Sequence, residues 1–182
     1  MSSASGSDNA SGIDLGAFIR TIPDFPKAGI QFKDISPLLA SPAAFREAGR
    51  ALAEPWRGQE VTRVVGIEAR GFLFAVAVGH ELEAGVVMAR KPGKLPGEIT
   101  RVEYELEYGS DVIEIQKDAV GTDDRVVIVD DVLATGGTLG AAVRLVRASG
   151  ADLRGVSVLI ELEELNGRRK VEDVSLHAIL RL

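Results

Sequence analysis

The sequence predicts an α/β fold, a doubly wound and mainly parallel sheet flanked by helices, with a β-hairpin inserted into it. Three observations carry this reading. Short β-branched runs alternate with stretches of helical periodicity, as in Val61–Ile67, Gly71–Glu83 and Val86–Ala89. A strand, a helix and a second strand in that order imply a parallel pair, because the crossover returns the chain to the same end of the sheet. Between this unit and the next, RVEYELEY and DVIEIQK flank Gly109 as two strands of a hairpin near residues 100 to 117.

Each element has its own signal. MSSASGSDNASG is small, polar and nearly uncharged, so residues 1–12 read as a disordered tail and 13–182 as a single domain. Ile13–Ile22 carries apolar residues at helical spacing and predicts a helix. Pro42–Ala53 predicts another, with Ser41 as N-cap and Pro42 as the first helical residue. Val61–Ile67 is a strand, Gly71–Glu83 a helix buried by its apolar run, and Val86–Ala89 a strand. After the hairpin, Val126–Val129 is a buried strand ending at Asp130 and Asp131, and the Gly136–Gly137 turn opens a helix. Gly155–Glu161 and Val174–Leu180 are the last two strands.

Composition removes several classes of function. With 182 residues and 46% hydrophobic content the chain can build one core, and the absence of cysteine excludes disulfides, thiolate metal sites and a cysteine nucleophile. That usage fits a reducing, cytoplasmic compartment. A net charge of −6 argues against a nucleic-acid surface. The longest apolar run, GFLFAVAVG, is far short of the roughly 20 residues a membrane span needs.

In an open α/β sheet the ligand sits beyond the carboxyl ends of the strands, where Asp130–Thr138 falls. ATGGT lacks the lysine of a P-loop and the spacing of a dinucleotide fingerprint. What it offers is a short loop of Ala134, Thr135, Gly136, Gly137 and Thr138, with two hydroxyls, close backbone approach and the N–H groups of a helix start. Those features suit a phosphate monoester. The aspartates just before it accept hydrogen bonds only, which suits a vicinal diol or a hydrated magnesium ion. A sugar phosphate meets both demands.

VVIVDDVLATGGT resembles the phosphoribosyl-pyrophosphate-binding signature of the type I phosphoribosyltransferases. FPKAGIQFKDISPLL (residues 25 to 39), GIEARGFLF (66 to 74), RKPGKLPG (90 to 97) and YELEYGSDVIEIQKDA (104 to 119) resemble, in order and spacing, the adenine phosphoribosyltransferase family. The resemblance covers roughly residues 13 to 182, and the hairpin then becomes a hood, an insertion at about 91–117. It implies transfer of phosphoribose from phosphoribosyl pyrophosphate to adenine, giving AMP and pyrophosphate. Mg2+ would be bound mainly through the sugar substrate and water, with no protein side chain bound to it directly, and the assembly would be a homodimer.

By the same resemblance Asp130 and Asp131 hold the ribose, and Ala134–Thr138 hold the 5-phosphate. Arg70, Lys91, Lys94 and Tyr108 serve pyrophosphate, and Glu107 handles a proton at the base. Ile30, Gln31, Phe32 and Lys33 form the base pocket, with Lys33 where relatives often carry arginine. Phe72, Phe74, His80, His177 and Trp56 are assigned no chemistry; the two phenylalanines read as core and Trp56 as a packing or interface residue. A regulator that binds phosphoribosyl pyrophosphate, or an enzyme for another purine such as xanthine, would share much of the signature. EYELEYG favours the adenine enzyme, and the chain lacks the basic surface or reading domain of a nucleic-acid regulator.

Overall fold

A computed structural model describes residues 12–105 and 109–182, in two compact units divided between Ala48 and Gly49. The first opens on a 3₁₀ turn, Leu15–Phe18, in which the Asp14 carboxylate accepts from Gly16 N at 2.9 Å. Strand β1 (Arg20–Pro23) follows and pairs antiparallel with β2 (Gln31–Asp34), in register from Arg20↔Asp34 to Pro23↔Gln31. The predicted helix over Ile13–Ile22 is therefore a 3₁₀ turn and a strand. Its apolar spacing is compatible with one helical turn, but pairing with a distant segment takes over from Arg20 onward, helped by an ion pair from Arg20 to Asp34 at 2.5 Å. Short helix α1 (Ser36–Ala40) leads to α2 (Pro42–Ala53), where the predicted cap forms: Ser41 Oγ accepts from Ala44 N at 3.3 Å.

The second unit is built on a five-stranded sheet of order β4-β3-β7-β8-β9, all neighbours parallel. Its strands are β3 (Arg63–Ile67), β4 (Gly85–Ala89), β7 (Arg125–Leu133), β8 (Asp152–Glu161) and β9 (Leu176–Arg181). Helix α3 (Gly71–Leu82) connects β3 to β4, and α4 (Gly137–Ala148) connects β7 to β8. The hairpin is β5 (Ile99–Glu105) with β6 (Ser110–Gln116).

Period-two burial covers both faces of the sheet. Val65, Ile67, Val126, Ile128, Val156 and Val158 pack in one cluster with α4 and with Tyr104, Ile113 and Ile115 of the hairpin. The alternate residues Val64, Val127 and Val129 are fully buried as well. The root of the hairpin thus belongs to the core, and an isolated antiparallel bridge, Arg90↔Glu114, ties it to the end of β4. Trp56 is buried, its Nε1 donating to Ser157 Oγ at 2.7 Å, while that hydroxyl donates to Leu52 O at 2.9 Å. Phe74 is core, as its sequence setting suggests. Helix α3 is not buried all round: Leu73 and Val76 are 45% and 61% exposed, because the helix covers β3 and β7 with one face only. No helix among the described residues is long and apolar enough to cross a membrane.

Candidate active site

Strand order reverses between β3 and β7, since the chain leaves β3 toward β4 on one side and β7 toward β8 and β9 on the other. At such a switch point the two chain ends diverge and leave a crevice. Here the crevice is deepened by unequal strand lengths. Pairing of β7 with β3 stops at Gly66↔Val129, whereas pairing with β8 continues to Leu133↔Glu161. Asp130 and Asp131 therefore lie inside β7, on the stretch that has lost its β3 neighbour, and not beyond the strand as the β-branched run alone suggests.

A cavity of ≈ 270 Å³ occupies this place. It is lined by Glu68, Arg70, Lys91, both aspartates and the whole of Ala134–Thr138. Among the described residues of this unit, the predicted ribose, phosphate and pyrophosphate residues thus meet in one crevice, apart from Lys94. That side chain is tied to the crevice wall, its Nζ donating to Glu68 Oε1 at 2.6 Å. Ile30, Gln31, Phe32 and Lys33 stand in the first unit, on β2 and the residue before it. There Phe32 packs edge-to-face on Phe25 at 5.1 Å, and Lys33 Nζ donates to Thr21 Oγ1 at 3.2 Å. Glu107 and Tyr108 lie outside the described residues.

The two aspartates differ in setting. Asp131 is buried and forms an ion pair with Arg70 Nε at 2.8 Å. Asp130 uses Oδ1 to accept from Asp131 N at 2.9 Å and abuts the start of α3, where a Cβ on Gly71 would come within 2.8 Å of that oxygen. Burial, then the neighbouring charge of Asp131, push the Asp130 carboxyl well above the usual carboxylate range. Burial raises Asp131 too, with Arg70 opposing it. Burial and mutual repulsion therefore disfavour two full charges on the pair, and a ligand that brings hydroxyl donors or positive charge favours them.

The loop Ala134–Thr138 is held open by glycine. Gly136 has φ 78°, a left-handed conformation that suits a residue without Cβ. Behind it runs a 3₁₀ segment, Gly167–Val171, so close that a Cβ on Gly167 would lie 2.1 Å from Ala134 O. That segment is anchored by Arg168, which donates to both Glu161 oxygens, at 2.9 Å and 2.5 Å. The loop opens α4, and the first N–H groups of a helix have no partner within it. They are the donors a phosphate needs.

Glu68 organises the basic turn that follows β4. It accepts from Lys91 N at 2.8 Å and from Lys94 Nζ, and it is 3.5 Å from Arg90 Nη2. Burial works against its charge, but Lys94, Lys91 N–H and Arg90 outweigh it and hold the carboxyl down at about 2. Arg90 also lies over the Phe72 ring at 5.9 Å, which places it at the strand end. Tyr104, Asp111 and Gly167 are further contributors that linear reading passes over. Hairpin register could have found the first two, because strands meeting around Gly109 set Tyr104 opposite Asp111.

A parallel sheet with its cavity at the switch point, a buried carboxylate pair and a glycine-held loop at a helix start fit a phosphoribosyl-transferring class of protein. The family model for the phosphoribosyl transferase domain matches residues 34–177. The adenine phosphoribosyltransferase of Anaeromyxobacter dehalogenans is 53% identical over 164 residues, 90% of this chain and 95% of that one. The crystal structure of the adenine phosphoribosyltransferase from Rhodothermus marinus superposes with a TM-score of 0.88 at 50% identity, covering 92% of this chain and 96% of that one. The APRTase of Giardia lamblia, complexed with 9-deazaadenine, gives 0.87 at 42% identity, over 93% and 96%. The chain belongs to the phosphoribosyltransferase family, on its adenine phosphoribosyltransferase branch.

Proposed function

We propose that the protein transfers the 5-phosphoribosyl group of phosphoribosyl pyrophosphate to adenine, releasing AMP and pyrophosphate, and that residues 13–182 act as one phosphoribosyltransferase domain. The observation that carries this reading is the single crevice shared by Asp130, Asp131, Arg70, Lys91 and the loop Ala134–Thr138. Loop N–H groups and the Thr135 and Thr138 hydroxyls hold the 5-phosphate. The aspartates accept the ribose hydroxyls and set negative charge beside the cation that develops at the anomeric carbon as the pyrophosphate bond breaks. Arg70, Lys91 and Lys94 take the leaving group, a planar guanidinium being well matched to phosphate oxygens. Phe32 and its neighbours Ile30, Gln31 and Lys33 receive the base, whose N9 attacks; Glu107 exchanges its proton and Tyr108 helps cover the site.

Among the described residues no group of three or more His, Asp or Glu side chains is set to hold a metal ion. Once ionised, Asp130 and Asp131 are acceptor-only and suit the water shell of Mg2+ carried in on the substrate. When bound, that ion neutralises charge on the leaving pyrophosphate. Asp130 and Asp131 would then meet both the sugar and the ion's waters, which would favour the ionised pair that burial resists.

A homodimer fits the exposed apolar face of α3, where Leu73 and Val76 stand one turn apart, and the exposed Val86 and Met88 of edge strand β4. A cytoplasmic location fits the cysteine-free sequence. The test is pyrophosphate release from phosphoribosyl pyrophosphate with each purine base in turn. Release with adenine and not with hypoxanthine, guanine or xanthine is expected; release with xanthine, or with no base, overturns the reading.

A further inference from the structure

Four segments that the sequence separates meet at one phenol oxygen. Tyr104, buried on β5, accepts from Lys91 Nζ at 2.7 Å and from Thr138 Oγ1 at 3.0 Å, and donates to Asp111 Oδ2 at 3.2 Å. The same Asp111 oxygen is ion-paired with Lys91 Nζ, which also lies 5.2 Å from the centre of the Tyr104 ring. Tyr104 and Asp111 are directly opposed across the hairpin, so the pairing register itself brings them together. Lys91 comes from the basic turn and Thr138 from the first turn of α4.

In this arrangement the junction competes with a phosphate ligand for both groups. A threonine hydroxyl has one proton to give, and a phosphate monoester dianion only accepts. Thr138 cannot donate to Tyr104 and to a 5-phosphate at once. Lys91 has three protons, of which Tyr104 and Asp111 engage two. The Asp111 carboxylate is an anion set on the cation that a pyrophosphate needs, and it competes with that ligand.

We propose that Tyr104 and Asp111 are positioning residues of the transfer reaction, holding the Thr138 hydroxyl and the Lys91 ammonium on the hood root until substrate exchanges those bonds for its own phosphates. This rests on the transferase reading above. The 5-phosphate withdraws Thr138 from Tyr104, and pyrophosphate withdraws Lys91 from Asp111. The lowered carboxyl of Asp111 and the raised ammonium of Lys91 are what a formed pair produces, although burial opposes each.

The test uses Asp111→Asn and Tyr104→Phe in the full chain, with pyrophosphate and ribose 5-phosphate as calorimetric probes and with steady-state kinetics. Asp111→Asn keeps an acceptor for the tyrosine and removes the competing charge. It should bind pyrophosphate about 3–10-fold more tightly and lower KM for phosphoribosyl pyrophosphate without raising kcat. Tyr104→Phe should bind ribose 5-phosphate more tightly by a similar factor, because Thr138 then has no competing acceptor. Weaker or unchanged pyrophosphate binding in a folded Asp111→Asn chain overturns the competition. If that variant does not fold, unchanged or weaker ribose 5-phosphate binding by Tyr104→Phe does so instead. Wild-type chain that makes AMP while the variants fail these tests refutes the positioning role alone, whereas wild type that makes no AMP refutes the transferase reading.

Discussion

Asp130 sets function against stability at a single side chain. Folding raises its carboxyl pKa, so the native chain keeps a proton that the unfolded chain releases. The stability this group contributes is complete below the unfolded value near ~3.9 and is lost as pH rises through the folded value. Asp130→Asn is neutral at every pH and escapes that loss. Its melting temperature should exceed wild type by about 2–4 °C at pH 7.5, with the gain vanishing near pH 4, as followed by scanning calorimetry. Turnover should fall by about 10²-fold over the same series, because charge beside the developing cation is gone. Glu68 has the opposite sign. Its carboxyl is held at about 2 in the folded chain, so its contribution is present above the unfolded carboxylate range and is lost as pH falls toward 2. Glu68→Gln should melt about 2–4 °C below wild type at pH 7, and that gap should narrow steadily between pH 5 and pH 3.

The loop Ala134–Thr138 depends on the segment packed behind it as much as on its own glycines. Gly167→Ala would drive a methyl to 2.1 Å from Ala134 O, a backbone atom that cannot swing aside, so the loop must shift. KM for phosphoribosyl pyrophosphate should rise about 10-fold and stability fall by about 1–3 kcal/mol. Gly121→Ala, with no atom within 4 Å of the new methyl, is the control and should match wild type in both measurements. Gly167 also marks the boundary of what linear reading can reach. Asp130, Asp131 and Ala134–Thr138 are legible because strand, turn and helix start are contiguous, and their chemistry follows from residue type. The sheet strands are legible for the same reason, each being a local apolar run. Gly167 and Glu68 act through partners 20 or more residues away, and Tyr104 joins Thr138 at a like separation to Lys91 and Asp111 of other elements, which local periodicity does not contain. The β1–β2 pair escapes likewise: Ile13, Leu15, Phe18 and Ile22 fit a helix until Arg20 finds Asp34.

Across the whole molecule, each cation assigned to pyrophosphate already faces a carboxylate: Arg70 with Asp131, Lys94 with Glu68 and Lys91 with Asp111. In a chain of net charge −6 these cations are thereby neutralised by the chain's own carboxylates. The same molecule leaves an apolar surface uncovered outside that site. Leu73 and Val76 on α3 and Val86 and Met88 on β4 are each at least 40% exposed, and β4 is an edge strand. Helix α3 begins immediately after Arg70, so its outer face and the crevice share one rigid element. If this face is where two copies meet, Leu73→Glu with Val76→Glu should bury unpaired charge in the dimer while leaving the single chain's core untouched. Sedimentation velocity should then report a fall from twice to once the 19.3 kDa of one chain, with helical content by circular dichroism unchanged. A dimer of undiminished stability in the double variant would move the contact to another surface. Because Arg70 caps the same helix, the separated chains should also show a raised KM for phosphoribosyl pyrophosphate, and wild-type kinetics in a fully monomeric variant would uncouple assembly from the site.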